Sequence, residues 1–109
     1  MQIKVLRGAC AVALLALSMT RTAQAEEPTT ATVFKERCAL CHGPDGMGQT
    51  VMGKKLGVKD WSDGKTLNWM SDADAAKEIS FGKLLMPGFP QLADGQVKAM
   101  VAYIRTLQK

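Results

Sequence analysis

The stretch RCALCHGPDGMG, from Arg37 to Gly48, holds two closely spaced thiols and an imidazole, and the interpretation of the whole sequence depends on it. Cys38 and Cys41 are three residues apart, and His42 follows directly. On a helix, residues at i and i+3 share a face, so both sulfurs would lie on one side of a bound group. A metal ion and a covalently attached haem are the two groups that such a cluster can hold.

The remaining sequence favours haem over a metal ion. A tetrahedral zinc site needs four ligands, usually from two separated pairs. His42 is the only histidine, and the third cysteine, Cys10, lies far towards the N-terminus. A thioredoxin-like CxxC belongs to a βαβ context, and no alternating strand pattern occurs. The motif therefore predicts one haem c, attached covalently through Cys38 and Cys41, with His42 as a ligand of its iron.

Residues 1–25 have the features of a signal peptide. Lys4 and Arg7 precede an apolar run from Ala9 to Met19, and Ala23-Gln24-Ala25 has the small-x-small pattern of a cleavage site. The run is shorter than the roughly 18 residues of a membrane-spanning helix. We therefore expect a periplasmic protein without stable membrane insertion after cleavage, with residues 26–109 forming one domain.

Cleavage would also change the charge. Lys4, Arg7 and Arg21 would be lost from the 14 basic residues, whereas all 10 acidic residues lie at or beyond Glu26. The remaining 11 basic and 10 acidic residues give a net charge of +1. A charge so close to zero predicts no nucleic-acid partner.

Apolar periodicity predicts an all-α fold. A first helix is expected from Thr32 to Cys41, a second from Ser71 to Gly82, and a last helix from about Asp94. Residues 43–69 lack periodicity and predict a long wrapping loop with room for one short helical turn. Residues 83–92 contain two prolines and a glycine and are expected to be irregular. The last helix has the clearest apolar stripe, made of Val97, Met100, Val101, Ile104 and Leu107.

With these features, residues 26–109 resemble a small single-haem c-type cytochrome, of the class with an N-terminal CxxCH motif and a C-terminal axial methionine. Phe34, CALCHG at 38–43, MPGF at 86–89 and VKAMVAYIRTL at 97–107 carry the resemblance. It implies the cytochrome c fold, in which three main helices and a long wrapping loop surround one covalently bound haem. It also implies that the first and last helices cross where Phe34 meets Tyr103.

Five methionines follow residue 25 and are candidates for the sixth iron ligand: Met47, Met52, Met70, Met86 and Met100. The first two are too close in sequence to His42 to reach the opposite haem face, and core packing is sufficient to explain the last. Met70 stays an alternative. Met86 precedes Pro87 in an irregular loop, and the resemblance implies an axial methionine in this Met-Pro context. We therefore predict that His42 and Met86 are the axial ligands.

Other residues are expected to support the haem. Trp61 is preferred over Trp69 as the indole that contacts a haem propionate, with simple packing against the haem edge as the alternative. The second nitrogen of His42 is expected to donate to a backbone carbonyl. Related proteins often place a proline where this chain has Val51, whose carbonyl would still accept. They also place a glycine where this chain has Thr30, which implies a looser or shifted helix crossing.

These ligands predict electron transfer rather than catalysis, because two filled axial positions leave no open site on the iron. The leading hypothesis is a monomeric periplasmic protein that carries one electron between a donor and an acceptor redox protein. One alternative is a dedicated haem subunit of a periplasmic dehydrogenase or oxidase complex. Another is a haem-based gas sensor, which would require a weakly bound Met86. Four lysines either guide an acidic partner or form a solvated loop face: Lys54, Lys55, Lys59 and Lys83.

Overall fold

The computed structural model describes residue 8 and residues 25–109, and regular secondary structure in this part of the chain is entirely helical. The predicted all-α fold is therefore confirmed, while the predicted signal peptide lies outside the described residues except for residues 8 and 25. No helix in the described part is long and apolar enough to cross a membrane. The helices are α1 (Thr30–Arg37), α2 (Ala39–His42), α3 (Val51–Leu56), α4 (Lys65–Asn68), α5 (Asp72–Phe81) and α6 (Asp94–Arg105).

The first predicted helix is divided into α1 and α2. It begins two residues earlier than expected, because the Thr29 side chain caps it by accepting from the Thr32 N–H at 3.2 Å. Cys38 then departs from helical geometry, with φ −114°, and separates the two helices. The prediction of one continuous helix to Cys41 is wrong, and the consequence is that Cys41 and His42 lie on a short helix of their own.

The wrapping loop contains two short helices, α3 and α4, where the sequence predicts one helical turn. Its path is fixed by backbone hydrogen bonds between residues far apart in sequence. The Trp61 N–H donates to the Gly46 carbonyl at 2.8 Å, and the Lys109 N–H donates to the Ser62 carbonyl at 2.9 Å. The loop is therefore tied both to the segment after the CxxCH motif and to the C-terminus.

The two longest helices follow the prediction. Ser71 caps α5 by accepting from the Asp74 N–H at 3.1 Å, and Gly82, with φ 79°, ends it. Helix α6 begins at Asp94, where the Gln96 side chain accepts from the Ala93 N–H at 2.9 Å. These capping bonds satisfy N–H groups that the helix itself leaves unpaired.

Helices α1 and α6 pack through an aromatic pair. The rings of Phe34 and Tyr103 have centroids 5.1 Å apart and are inclined by 51°, so the predicted contact is confirmed. The contact forms although Thr30 stands where related proteins often have glycine. Phe34 is 1% exposed and belongs to a core that also contains Leu67, Ala75, Ile79, Val97, Met100, Val101 and Ile104.

Arg105, the last residue of α6, connects this helix to the segment between α4 and α5. Its Nη1 and Nη2 donate to the carbonyls of Leu67 at 3.2 Å and Met70 at 2.7 Å. Its Nε donates to Asp72 Oδ1 at 2.6 Å. The guanidinium thus satisfies two carbonyls just before the start of α5.

Replacement of Arg105 by methionine should lower the free energy of unfolding by about 1.5–3 kcal/mol, because both carbonyls lose a charged donor. Chemical denaturation of the haem-loaded protein measures this change. Asp72→Asn is the control: the Asp72 side chain is 77% exposed, so an ion pair with it should contribute less than about 1 kcal/mol. Equal losses in the two variants would show that the ion pair, and not the carbonyl contacts, stabilises the junction.

Candidate haem-binding site

The CxxCH motif forms a single helical turn that places its three functional side chains around one cavity. Cys38 precedes α2, and its carbonyl accepts from the N–H groups of Cys41 at 3.2 Å and His42 at 3.0 Å. Both thiols are half-buried and free, and both line the cavity together with His42. The helical turn therefore presents two sulfurs and an imidazole to the same space, as the sequence predicts.

The cavity has a volume of about 1030 Å³, at the upper end of the range for small-molecule and cofactor sites. Its walls come from helices that are distant in sequence, and most of its surface is apolar. Several of the most buried residues of the core line it, among them Phe34, Leu67, Ile79, Met100 and Ile104. Such a cavity suits a large apolar group with polar or charged parts at its edge.

His42 has the chemical state that a metal ligand needs. Burial lowers the pKa of its imidazole to about 4, so the ring is neutral at neutral pH. Nδ1 is buried and makes no hydrogen bond, which is rare for a ring packed only for structural reasons. The expected bond to Val51 is absent. Val51 is the first residue of α3, so its carbonyl belongs to the hydrogen-bond ladder of that helix.

Trp61 lies directly against the imidazole. The ring centroids of Trp61 and His42 are 3.8 Å apart and the planes differ by 20°, a stacked arrangement that restricts rotation of the imidazole. Trp61 is half-buried, whereas Trp69 is 90% exposed, and both line the cavity. Contact of the Trp61 indole with a haem propionate stays a prediction.

Three of the five methionines after residue 25 lie at the cavity. Met70, Met86 and Met100 line the cavity, whereas Met47 and Met52 do not. Met100 is 2% exposed and packed within the core, as expected from the α6 stripe. Met86 and Met70 are half-buried, so the choice between them stays a prediction.

The thiols fit a structural attachment better than redox or nucleophilic chemistry. Burial, and to a lesser degree the neighbouring Cys41, raises the pKa of Cys38 to about 11. A reactive cysteine needs the opposite shift, towards the thiolate. Among the described residues, no group of three or more His, Cys, Asp or Glu side chains is arranged to hold a metal ion directly. Two thiols, a neutral imidazole and an apolar cavity together fit a covalently attached haem.

Thr50 and Gly53 contact the backbone of the CxxCH motif. Neither residue was predicted from the sequence to support the site. Thr50 Oγ1 donates to the Cys41 carbonyl at 3.1 Å and accepts from the Gly53 N–H at 2.8 Å. A Cβ at position 53 would overlap the carbonyl oxygens of Cys41 and Gly48. A threonine at the N-cap of α3 was recognisable in the sequence, but its contact with the motif depends on the path of the loop.

Two of the four lysines singled out in the sequence line the cavity, Lys59 and Lys83, whereas Lys54 and Lys55 do not. Lys83 Nζ lies 2.8 Å from Glu78 Oε1, and this hydrogen bond raises the pKa of Lys83. The charge of Lys83 is therefore already paired within the chain. Lys65, which also lines the cavity, was not among the predicted residues.

An all-helical domain that surrounds one apolar cavity with a CxxCH motif and a Met-Pro loop has the fold and site of a c-type cytochrome. In agreement, the structure resembles a solved protein titled KustC0563 c-type cytochrome, with a TM-score of 0.69 and 28% sequence identity. The match covers 75% of this chain and 100% of that one. Residues 25–104 also match the family described as cytochrome c oxidase, cbb3-type, subunit III, and the chain belongs to this family. It therefore binds haem c covalently.

Curated relatives agree with this family. The cbb3-type cytochrome c oxidase subunit CcoP of Azospirillum brasilense is 30% identical over 105 residues, which cover 92% of this chain and 35% of that subunit. The cbb3-type subunit FixP of Azorhizobium caulinodans is 34% identical over 79 residues, covering 71% of this chain and 26% of FixP. The chain thus spans about a third or less of each of these relatives.

The comparisons distinguish between the functions that the sequence left open. The relatives are subunits of cbb3-type cytochrome c oxidases, which supports the hypothesis of a subunit of an oxidase complex better than that of an independent carrier. Both hypotheses treat the domain as an electron carrier.

Haem attachment can be tested through the two thiols. Haem should stay with the wild-type protein in acid acetone and should be extracted once Cys38 and Cys41 are both replaced by alanine. Because core residues line the cavity, the double variant should also lose helix content, measured by circular dichroism. Cys10→Ala is the control and should leave attachment unchanged. A double variant that folds normally without haem would contradict the proposed site.

Proposed function

We propose that this chain is the electron-transfer haem domain of a cbb3-type oxidase, taking one electron from a donor and passing it to the next redox centre. The observation that carries the proposal is a single apolar cavity lined by both His42 and Met86. Bound haem supplies an iron that changes its charge by one electron. The residues around it hold it, keep water away and adjust its reduction potential.

In this proposal Cys38 and Cys41 would hold the haem through two thioether bonds, and His42 and Met86 would ligate its iron. With both ligands bound, the iron would have no open coordination site for a substrate or for oxygen. A methionine thioether raises the reduction potential relative to a second imidazole. The stacked Trp61 holds the imidazole plane of His42, and the apolar walls lower the local dielectric around the charge that changes.

Assembly with oxidase subunits is supported by apolar side chains at the rim of the cavity. Trp69, Leu84 and Leu85 are 90%, 97% and 72% exposed and line the cavity, and Phe81 is 79% exposed beside Trp69. Exposed large apolar side chains in one region mark a protein interaction surface. We propose that other subunits of the oxidase cover this surface. We also propose a periplasmic location, from the signal-like pattern of residues 1–25.

An independent carrier is the second candidate. It is favoured by the structural match to the KustC0563 cytochrome, because the matched domain accounts for 100% of that chain. A cytochrome domain of this size has thus been solved as a separate chain. The two candidates share the same haem site and differ only in whether the domain stays bound to a partner.

The iron ligands are tested by Met86→Ala. The oxidised wild-type protein should show the weak far-red absorption band of a methionine–ferric bond, and the variant should lose it. Its reduction potential should fall, and its iron should bind carbon monoxide, because one axial position opens. Met86→His should keep six ligands but lower the potential, since imidazole favours the ferric state more than a thioether does.

Met70→Ala is the matched control, because Met70 is also half-buried and lines the same cavity. It should leave the band, the potential and the ligand binding unchanged. Loss of the band in Met70→Ala but not in Met86→Ala would assign the iron ligand to Met70. A wild-type protein that lacks the band and binds carbon monoxide readily would favour the gas-sensor hypothesis.

Membership of a complex is tested by affinity purification of the tagged chain from the native organism in mild detergent. Other cbb3-type oxidase subunits should co-purify and be identified by mass spectrometry. The purified sample should also consume oxygen. Phe81→Ser should weaken this association and leave the reduction potential unchanged. The control is Val51→Ser, because Val51 is 85% exposed and does not line the cavity. Recovery of the wild-type chain alone would favour the independent carrier.

A further inference from the structure

The loop that carries Met86 folds back on itself. The Lys83 N–H donates to the Met86 carbonyl at 3.1 Å, and the Met86 N–H donates to the Lys83 carbonyl at 3.0 Å. Just beyond the loop, the Phe89 N–H donates to the Ile79 carbonyl at 2.8 Å. Both backbone polar groups of Met86 are therefore used within a closed four-residue turn, and the end of the loop is tied to helix α5.

Two glycines allow this closure. Gly82 has φ +79°, and a Cβ there would lie 2.6 Å from the Met86 carbonyl oxygen and 2.7 Å from the Gly88 nitrogen. A Cβ on Gly88 would lie 2.6 Å from the Phe81 carbonyl carbon and 2.9 Å from the Gly82 nitrogen. All these neighbours are backbone atoms, so a side chain at either position can be accommodated only if the chain segments separate.

The turn itself is held in an unfavourable conformation. Leu84, its first central residue, has φ +52°, the left-handed region that glycine favours and leucine avoids. Leu84 is 97% exposed, so burial of its side chain does not offset this strain. The closing contacts at Gly82, Met86 and Gly88 are the interactions that oppose opening of the turn.

We propose that Gly82 and Gly88 are positioning residues for the Met86 thioether. Their backbone contact fixes the Met86 main chain, and so determines how strongly its sulfur binds the haem iron and how high the reduction potential lies. This inference rests on the proposed function, in which Met86 is an axial ligand. In this inference the strength of the bond between the Met86 sulfur and the iron depends on the backbone contact between Gly82 and Gly88.

The test is Gly88→Ala in the haem-loaded protein. Separation of the two segments should displace Met86, weaken the far-red band and lower the reduction potential. External imidazole competes with the Met86 sulfur for the ferric iron and should bind about tenfold more tightly. This factor corresponds to the lower end of the usual free-energy cost of overpacking. Gly82→Ala should act in the same direction. Gly95→Ala is the control, because a Cβ at Gly95 meets nothing within 4 Å, and its band and imidazole affinity should match the wild type.

The outcomes separate this inference from the proposed ligand set. If Met86→Ala abolishes the band while Gly88→Ala leaves the band and imidazole affinity unchanged, Met86 is the ligand and the glycine contact does not position it. Loss of helix content in Gly88→Ala, measured by circular dichroism, would also overturn the inference. It would show that the contact supports the whole fold rather than the methionine alone. Absence of the band in the wild type would overturn the ligand set itself.

Discussion

The hydrophobic core of this domain is also the wall of its cavity, and the rest of the structure depends on that fact. Five large buried residues line the space of about 1030 Å³, and none of them is more than 8% exposed: Phe34, Leu67, Ile79, Met100 and Ile104. The apolar faces of α1, α5 and α6 thus enclose a group that is not part of the polypeptide. Haem c in this space would make packing contacts with these side chains, and would so contribute to stability as well as to redox chemistry.

Backbone contacts fix the main chain beside both proposed iron ligands, in addition to the Trp61 stacking that holds the His42 ring. On the CxxCH side, the Cys41 carbonyl accepts from Thr50 and lies against Gly53. On the other side, Gly82 and Gly88 close the loop around Met86. A ligand held only by side-chain packing can shift as rotamers change, whereas contacts between main-chain atoms leave little room for adjustment. The main-chain segments beside His42 and Met86 are thus supported by the same kind of contact.

The parts of the fold that could be predicted are those with local signals. Helix α6 has a continuous apolar stripe, Ser71 and Gly82 mark the ends of α5, and the CxxCH motif identifies the cofactor by itself. Helices α3 and α4 were expected only as one helical turn without a position, because helices of six and four residues are too short to show periodicity and depend on tertiary contacts. The predicted hydrogen bond from His42 to a backbone carbonyl is wrong, because which carbonyl faces Nδ1 depends on where the wrapping loop runs. The contact between Gly82 and Gly88 arises from a chain reversal that no hydrophobic pattern encodes.

The loop that carries Met86 also carries the most exposed apolar side chain at the cavity rim. Leu84 and Leu85 form the tip of the same turn whose base is closed by Gly82 and Gly88. A partner subunit that covers the two leucines would therefore press on the segment that fixes the methionine. Because the turn is short and closed, a displacement of Leu84 and Leu85 would also displace the Met86 backbone. The reduction potential of the domain within a complex would then differ from that of the free domain, with no change in the haem ligands.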